Sequence, residues 1–125
     1  MKSLKVRYII FMHKHFKRYR LRKICKALDI KPYNWQRDFA LGKTDTLNAP
    51  EGRATGKTMA VMLRLLMAYP GKPVNALHTL RADPDFGTAT MRMVYWYDRE
   101  YSRHAHACDR AWIPVYHLDI RSLYK

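Results

Sequence analysis

Apolar residues near the N-terminus recur with the period of an α-helix. No Gly or Pro interrupts residues 3–28. One stripe at the spacing i, i+3, i+4 and i+7 consists of Leu21, Ile24, Cys25 and Leu28. The pattern predicts a helix over 14–28 that extends toward residue 3. It ends before Pro32, because the residue that precedes a proline avoids helical backbone angles.

The rest of the chain alternates between helix-like and strand-like segments. A short helix is predicted in YNWQRDFALG, ending at Gly42. Longer helices are predicted over 56–69 and 84–111. The second has one stripe at helical spacing: Met93, Tyr97, Tyr101, His104 and Cys108. Strands are predicted over 44–50, 72–80 and 112–120. The resulting β-α-β-α-β order predicts an α/β fold with a small three-stranded parallel sheet.

The length of 125 residues favours one compact unit with two parts. Residues 1–32 are interpreted as a basic helical extension, and residues 33–125 as the α/β domain. The predicted helix that ends the first part and the predicted helix that begins the second are joined by a short turn at Pro32. They form the outline of a helix-turn-helix motif. Apolar residues in its second helix, such as Trp35 and Phe39, indicate a core element rather than a helix that reads DNA.

The net charge of the chain indicates which class of partner the protein binds. The chain carries 24 Lys and Arg against 10 Asp and Glu, a net charge of +14. Within residues 1–32, eleven cations face a single acid, Asp29. Such a balance favours a polyanionic partner: nucleic acid, an acidic protein face or an anionic membrane surface. The candidate contacts on the basic helix are Lys14, Lys17, Arg18, Arg20, Arg22, Lys23 and Lys26.

The stretch EGRATGKT, residues 51–58, is similar to a phosphate-binding loop that leads into a helix. In such loops backbone N–H groups hold phosphate, the lysine adds charge and the Ser or Thr hydroxyl binds magnesium. The first glycine of the usual pattern is replaced by Glu51. Alternatively, Gly52 and Gly56 only form the turn at the helix N-terminus and Lys57 is solvated. The candidate phosphate-binding residues are Gly52, Gly56, Lys57 and Thr58.

YNWQRDFALG followed by APEGRATGKTMAVMLRLLM resembles the N-terminal part of the large terminase subunits, the phage DNA-packaging ATPases. The resemblance covers about residues 30–80 and implies a truncated P-loop-like domain. It implies that Gln36 reads adenine, that Arg53 senses phosphate, and that ATP with magnesium is the ligand. Asp119, at the end of the third predicted strand, would then lie near the magnesium ion.

The residues around Asp119 do not complete an ATPase. A hydrolytic site needs a second carboxylate that polarises water, and Ile120 stands where that residue is expected. Asp98 and Glu100 are predicted to lie on a helix. We therefore expect no self-sufficient ATP hydrolysis and assign no catalytic residue.

The run His104, His106, Cys108 has the residue types of a zinc site. On a helix, residues 104 and 108 share one face whereas 106 points away. The run is therefore interpreted as helical, with no metal ligands assigned.

Three functions remain open from the sequence. The first is a small basic protein, derived from a phage or prophage, that binds nucleic acid and a phosphate or nucleotide. The second is an inhibitor, similar in role to anti-CRISPR proteins, that blocks a bacterial nucleic-acid-processing enzyme. The third is an ATPase component completed by a second chain. All three imply the bacterial cytoplasm, since no signal peptide or membrane-spanning segment is evident.

Overall fold

In the computed structural model of the chain, the described residues are 4–44, 47, 56–68, 76–82 and 91–120. These ranges contain helices and connecting turns, and no strand. The helices are α1 (Leu4–His15), α2 (Lys17–Leu28), α3 (Asn34–Ala40), α4 (Lys57–Met67), α5 (Ala76–Arg81) and α6 (Met91–Arg110).

The N-terminal helical region is divided at Phe16. This residue has φ −124° and ψ 91°, an extended conformation between α1 and α2. The prediction of one continuous helix over 14–28 is therefore wrong at its beginning. The predicted apolar stripe of α2 faces the core: Leu21, Ile24 and Cys25 are buried, and Leu28 is half-buried.

Helix α4 lies at the centre of the described core. Six of its eleven residues are buried, and they point in every direction around the helix axis. A helix that is apolar all round must be covered by its neighbours. Side chains from α2, α3, α6 and the segment after α6 complete this core; they include Leu21, Ile24, Phe39, Tyr97, Tyr101, Ile113 and Val115.

The predicted three-stranded parallel sheet is wrong for the described residues. The interval 72–80 contains the start of α5, and 113–119 has no regular secondary structure. A short apolar run such as ALHTL does not distinguish strand from helix by periodicity alone. Of the first predicted strand, only Thr44 and Leu47 are described, and neither lies in a strand.

The long helices are predicted more successfully than the strands. The helix expected over 56–69 is α4, and the helix expected over 84–111 contains α6. The stripe predicted on α6 is buried at every described position: Tyr97, Tyr101, His104 and Cys108. The helix predicted in YNWQRDFALG is α3, and Gly42 after it has the positive φ of 78° that ends helices.

The chain after α6 folds back along that helix. The N–H of Ile113 donates to the Cys108 carbonyl at 2.9 Å, and the N–H of Trp112 donates to the Asp109 carbonyl at 3.0 Å. Trp112 has φ 63°, so the helix ends in the left-handed turn of a Schellman motif. Further along, the Tyr101 hydroxyl donates to the Tyr116 carbonyl at 2.7 Å.

None of the helices in the described ranges combines the length and the apolar character needed to cross a lipid bilayer.

Candidate functional site

The N-terminal end of α4 carries the Gly-Lys-Thr sequence expected to bind phosphate. Gly56 precedes the helix with φ 93°, a backbone conformation that favours glycine. Lys57 and Thr58 are the first helical residues, and both are half-buried. Gly52 and Arg53 lie outside the described residues, so the complete phosphate loop stays a sequence prediction.

Gln36 contacts this end of α4 directly. Its Nε2 donates to the Gly56 carbonyl at 2.9 Å, and its Oε1 accepts from the Tyr33 N–H at 2.8 Å. The side chain is buried. The structure therefore places Gln36 beside Gly56, the residue that precedes Lys57. Both ends of the Gln36 amide contact backbone groups, which fixes α3 against the start of α4.

Thr58 and Asp119, the residues expected near magnesium, lie in different surroundings. The Thr58 hydroxyl is 3.4 Å from the hydroxyl of Tyr97, a fully buried residue of α6. Asp119 is exposed and lies in the irregular segment after α6 rather than at the end of a strand. The sheet edge that was expected to place Asp119 does not occur in the described part of the chain.

Arg20 is placed differently from the other cations of α2. Its side chain is 1% exposed. Its guanidinium donates to three consecutive carbonyls at the C-terminal end of α4: Leu66 at 2.7 Å, Met67 at 3.1 Å and Ala68 at 3.0 Å. These carbonyls lack helical partners, and a cation complements the negative end of the helix dipole. Arg20 therefore caps α4 and cannot face a polyanion in this conformation.

His13 of α1 lies beside Arg20. Its Nδ1 is 3.5 Å from Arg20 Nη1. Burial, together with the charges of Arg20 and Lys23, lowers the pKa of His13 to about 4. A neutral His13 can accept the hydrogen bond from the guanidinium, whereas a protonated one would repel it.

A groove of about 870 Å³ lies between α2 and α3. Its lining combines apolar side chains with several Lys and Arg side chains. Its apolar lining includes Leu21, Cys25, Ile30 and Leu41. Burial raises the pKa of the Cys25 thiol, which keeps that part of the lining uncharged. The cations that line the groove are Arg18, Arg22, Lys26, Lys31, Arg37 and Lys43. We call this feature the basic groove.

The basic groove contains a single acid among the described residues that line it. Asp38 lies 3.9 Å from Lys43, with both side chains about half exposed. An exposed pair of this kind contributes little to stability. Five lining cations remain outside that pair. The groove therefore concentrates positive charge around an apolar surface.

The contacts predicted from the sequence include only half of the cations that line the basic groove. Arg18, Arg22 and Lys26 belong to the predicted contacts, whereas Lys31, Arg37 and Lys43 do not. The signal that could have found them is the short connection at Pro32, which folds α3 back beside α2. Lys14, Lys17 and Lys23, also predicted as contacts, are exposed on α1 and α2 outside the groove lining. The Lys23 ammonium lies 5.5 Å from the centre of the Tyr19 ring.

The predicted division of the His-x-His-x-Cys run between two faces is confirmed. His104 and Cys108 are buried, and His106 is exposed. Burial raises the pKa of Cys108 to about 11 and lowers that of His104. On the exposed face, His106 lies close to Asp109 and His117, a cluster that the sequence interpretation missed.

Comparisons with protein-family models, with curated proteins and with solved structures found no match to this chain.

Proposed function

We propose that the protein binds nucleic acid through the basic groove. The observation that carries this proposal is the charge of the groove lining: six Lys and Arg side chains and one carboxylate around a single groove. Cations grouped in this way attract phosphates and gain affinity from the release of counterions. The net charge of +14 adds long-range attraction in the same direction.

The apolar lining of the groove favours a single strand over a duplex. Bases of a single strand are available to pack on apolar side chains while the phosphates contact surrounding cations. A duplex keeps its bases stacked inside and offers mainly its phosphates. Ile30 and Leu41, which are half-buried in the groove lining, therefore give a single strand a contact that a duplex cannot make.

A paired set of double variants tests the groove. Arg22→Ala/Lys26→Ala removes two groove cations, whereas Lys5→Ala/Arg7→Ala removes the same charge from exposed positions on α1. Fluorescence anisotropy with a labelled 20-nucleotide DNA strand is measured from 50 to 300 mM NaCl. We expect the groove variant to lose about tenfold or more in affinity at 100 mM and the slope of log K against log salt to become shallower by about 1.4.

The control variant separates a site from general attraction. We expect Lys5→Ala/Arg7→Ala to stay within about threefold of the wild type, because each distant cation contributes only through the screened field. Equal losses in the two variants would show that net charge, and not the groove, holds the strand. Tighter binding of a duplex than of the single strand would contradict the proposed role of the apolar lining.

A protein partner is a second candidate, favoured by the exposed surface of α1. His13 is the one buried residue of this twelve-residue helix. The large apolar side chains exposed there and at the following position are Leu4, Val6, Tyr8, Phe11 and Phe16. An apolar patch beside a strongly basic region is typical of a protein interface. Under this candidate the partner is a bacterial nucleic-acid-processing enzyme that the protein inhibits.

Capture from a nuclease-treated bacterial lysate distinguishes the two candidates. If α1 is the interface, Leu4→Ser/Phe11→Ser abolishes retention of a specific protein, and that protein's nucleic-acid-processing activity falls when the wild type is added. Recovery of nucleic acid alone before nuclease treatment, with no retained protein afterwards, would eliminate the inhibitor and leave the first candidate.

A further inference from the structure

The exposed side of the last turn of α6 carries a cluster with the composition of a metal site. His106 and Asp109 are three positions apart and share one helix face. His117 comes from the segment that folds back along the helix. One ligand atom from each of the three side chains lies within 4.8 Å of those from the other two. All three residues are exposed, so an ion from solvent can reach them.

We propose that His106, Asp109 and His117 bind a divalent transition-metal ion such as Zn²⁺. His117 Nε2 lies 2.6 Å from Asp109 Oδ2, and His106 Nδ1 lies 3.9 Å from the same oxygen. The centres of the two imidazole rings are 5.2 Å apart. Zinc bonds of 2.0–2.1 Å in a tetrahedron place neighbouring ligand atoms about 3.4 Å apart. Small side-chain rotations are therefore sufficient to bring the three atoms to bonding distance.

The backbone on either side of His117 holds this segment against α6. Tyr101, which is buried, donates to the carbonyl of the preceding residue, Tyr116. Beyond His117, the N–H of Ile120 donates to Asp98 Oδ1 at 2.9 Å. Since both anchors are side chains of α6, the third ligand is positioned before any ion arrives, and less ordering is needed on binding.

The donor set selects the class of ion. Two imidazole nitrogens and one carboxylate oxygen suit Zn²⁺, Co²⁺, Ni²⁺ or Cu²⁺. Mg²⁺ and Ca²⁺ prefer oxygen ligands throughout. A hydrogen bond between His117 and Asp109 explains why one imidazole lies beside the carboxylate, but it does not explain the second. The metal site also accounts for the second imidazole, from His106, at the same oxygen.

Cobalt and zinc titrations of the full chain, prepared without a histidine tag and freed of metal by chelation, test the site. By calorimetry at pH 7.5 we expect one equivalent of ZnCl₂ to bind, with no saturable binding of MgCl₂. Bound Co²⁺ should give a visible absorption band that reports its coordination geometry.

Histidine variants identify the ligands. We expect His106→Ala and His117→Ala each to weaken zinc binding more than about tenfold and to abolish the cobalt band, because two protein ligands then remain. His15→Ala, an exposed histidine of α1, is the matched control and should bind as the wild type does. Circular dichroism confirms that each variant is folded. No saturable zinc binding, or unchanged affinity in both His106→Ala and His117→Ala, would overturn the proposal.

Discussion

The two ends of α4 are both held by side chains from neighbouring helices, but with different chemistry. At the C-terminal end, the Arg20 guanidinium donates to the carbonyls of Leu66, Met67 and Ala68. At the N-terminal end, the neutral amide of Gln36 donates one hydrogen bond to the Gly56 carbonyl. Arg20 therefore places a positive charge at the negative end of the helix dipole, whereas Gln36 holds the backbone through a neutral group.

The two ends therefore differ in the groups that satisfy their backbone. Arg20 supplies donors to carbonyls that would otherwise need water, and it is fully buried. The Gln36 amide donates to the Gly56 carbonyl. It therefore provides no acceptor for the backbone N–H groups in the first turn of α4. Those groups remain suited to an oxygen acceptor from elsewhere. The comparison predicts that changes at the C-terminal end affect mainly stability, and that the N-terminal end tolerates more.

The largest expected effect comes from removing the charged cap. Arg20→Met keeps most of the side-chain volume but removes the donors to three carbonyls at the C-terminal end of α4, of which that of Leu66 is buried. We expect a loss of roughly 3–5 kcal/mol in the free energy of unfolding. The measurement is urea unfolding followed by circular dichroism. Arg22→Met, at an exposed position of the same helix, should change stability by less than about 0.5 kcal/mol. Similar losses in both variants would contradict the assignment of Arg20 as a cap.

Acidification should weaken the same end of α4 through His13. The folded-state pKa of His13 is lowered to about 4 from the ordinary histidine value of 6.5. Above pH 6.5 the side chain is neutral in both states and contributes no pH dependence. As the pH falls from 6.5 to 4, the unfolded chain takes up the proton first, so stability is lost. The expected loss from His13 is about 3 kcal/mol at pH 4.

His104 adds to this acid sensitivity, since its pKa is also lowered by burial. The variant His13→Gln isolates the contribution of His13: its unfolding free energy should fall less steeply between pH 6.5 and 4 than that of the wild type. His15→Gln, exposed on the same helix, should follow the wild-type curve. If the His13→Gln and wild-type curves are parallel across this range, His13 is not a buried neutral group.

At the N-terminal end, a methyl group at Gly56 should be costly. A Cβ built there would lie 2.5 Å from Gln36 Nε2, and the φ of 93° disfavours other residues. We expect Gly56→Ala to cost about 2–3 kcal/mol, from left-handed strain and the displaced Gln36 hydrogen bond. Gly42→Ala has similar strain but no atom within 4 Å, so about 1–2 kcal/mol is expected. Equal losses in thermal or urea unfolding would mean that the contact with Gln36 contributes nothing.

These two ends also show what sequence alone could predict. The helical period of α4 and the buried stripe of α6 follow from local spacing, and both are confirmed. Arg20 was grouped with its basic neighbours because its partners lie 46 to 48 residues further along the chain. No local pattern reports such a distant contact. The bond between Gln36 and Gly56 joins residues 20 positions apart and is likewise not predicted from the sequence.

The predicted strands are wrong for a related reason. The interval 72–80 combines apolar and β-branched residues in a length that suits either strand or helix, and the structure contains α5 there. After α6, the left-handed turn at Trp112 directs the chain back along the helix instead of into a sheet. The same change of direction places His117 beside His106 and Asp109, although His117 lies several positions further along the sequence. Tertiary packing therefore decided both the fold and the cluster.

The smallest expected effect tests the role of Thr58 at the N-terminal end of α4. Its hydroxyl is 3.4 Å from the Tyr97 hydroxyl, a weak contact between α4 and α6. Thr58→Val keeps the shape and removes the hydroxyl, so we expect a loss of about 0.5–1 kcal/mol in urea unfolding. Thr58→Ser keeps the hydroxyl and should retain the contact. A Thr58→Val variant at least as stable as the wild type would show that the contact between the two hydroxyls contributes no stability.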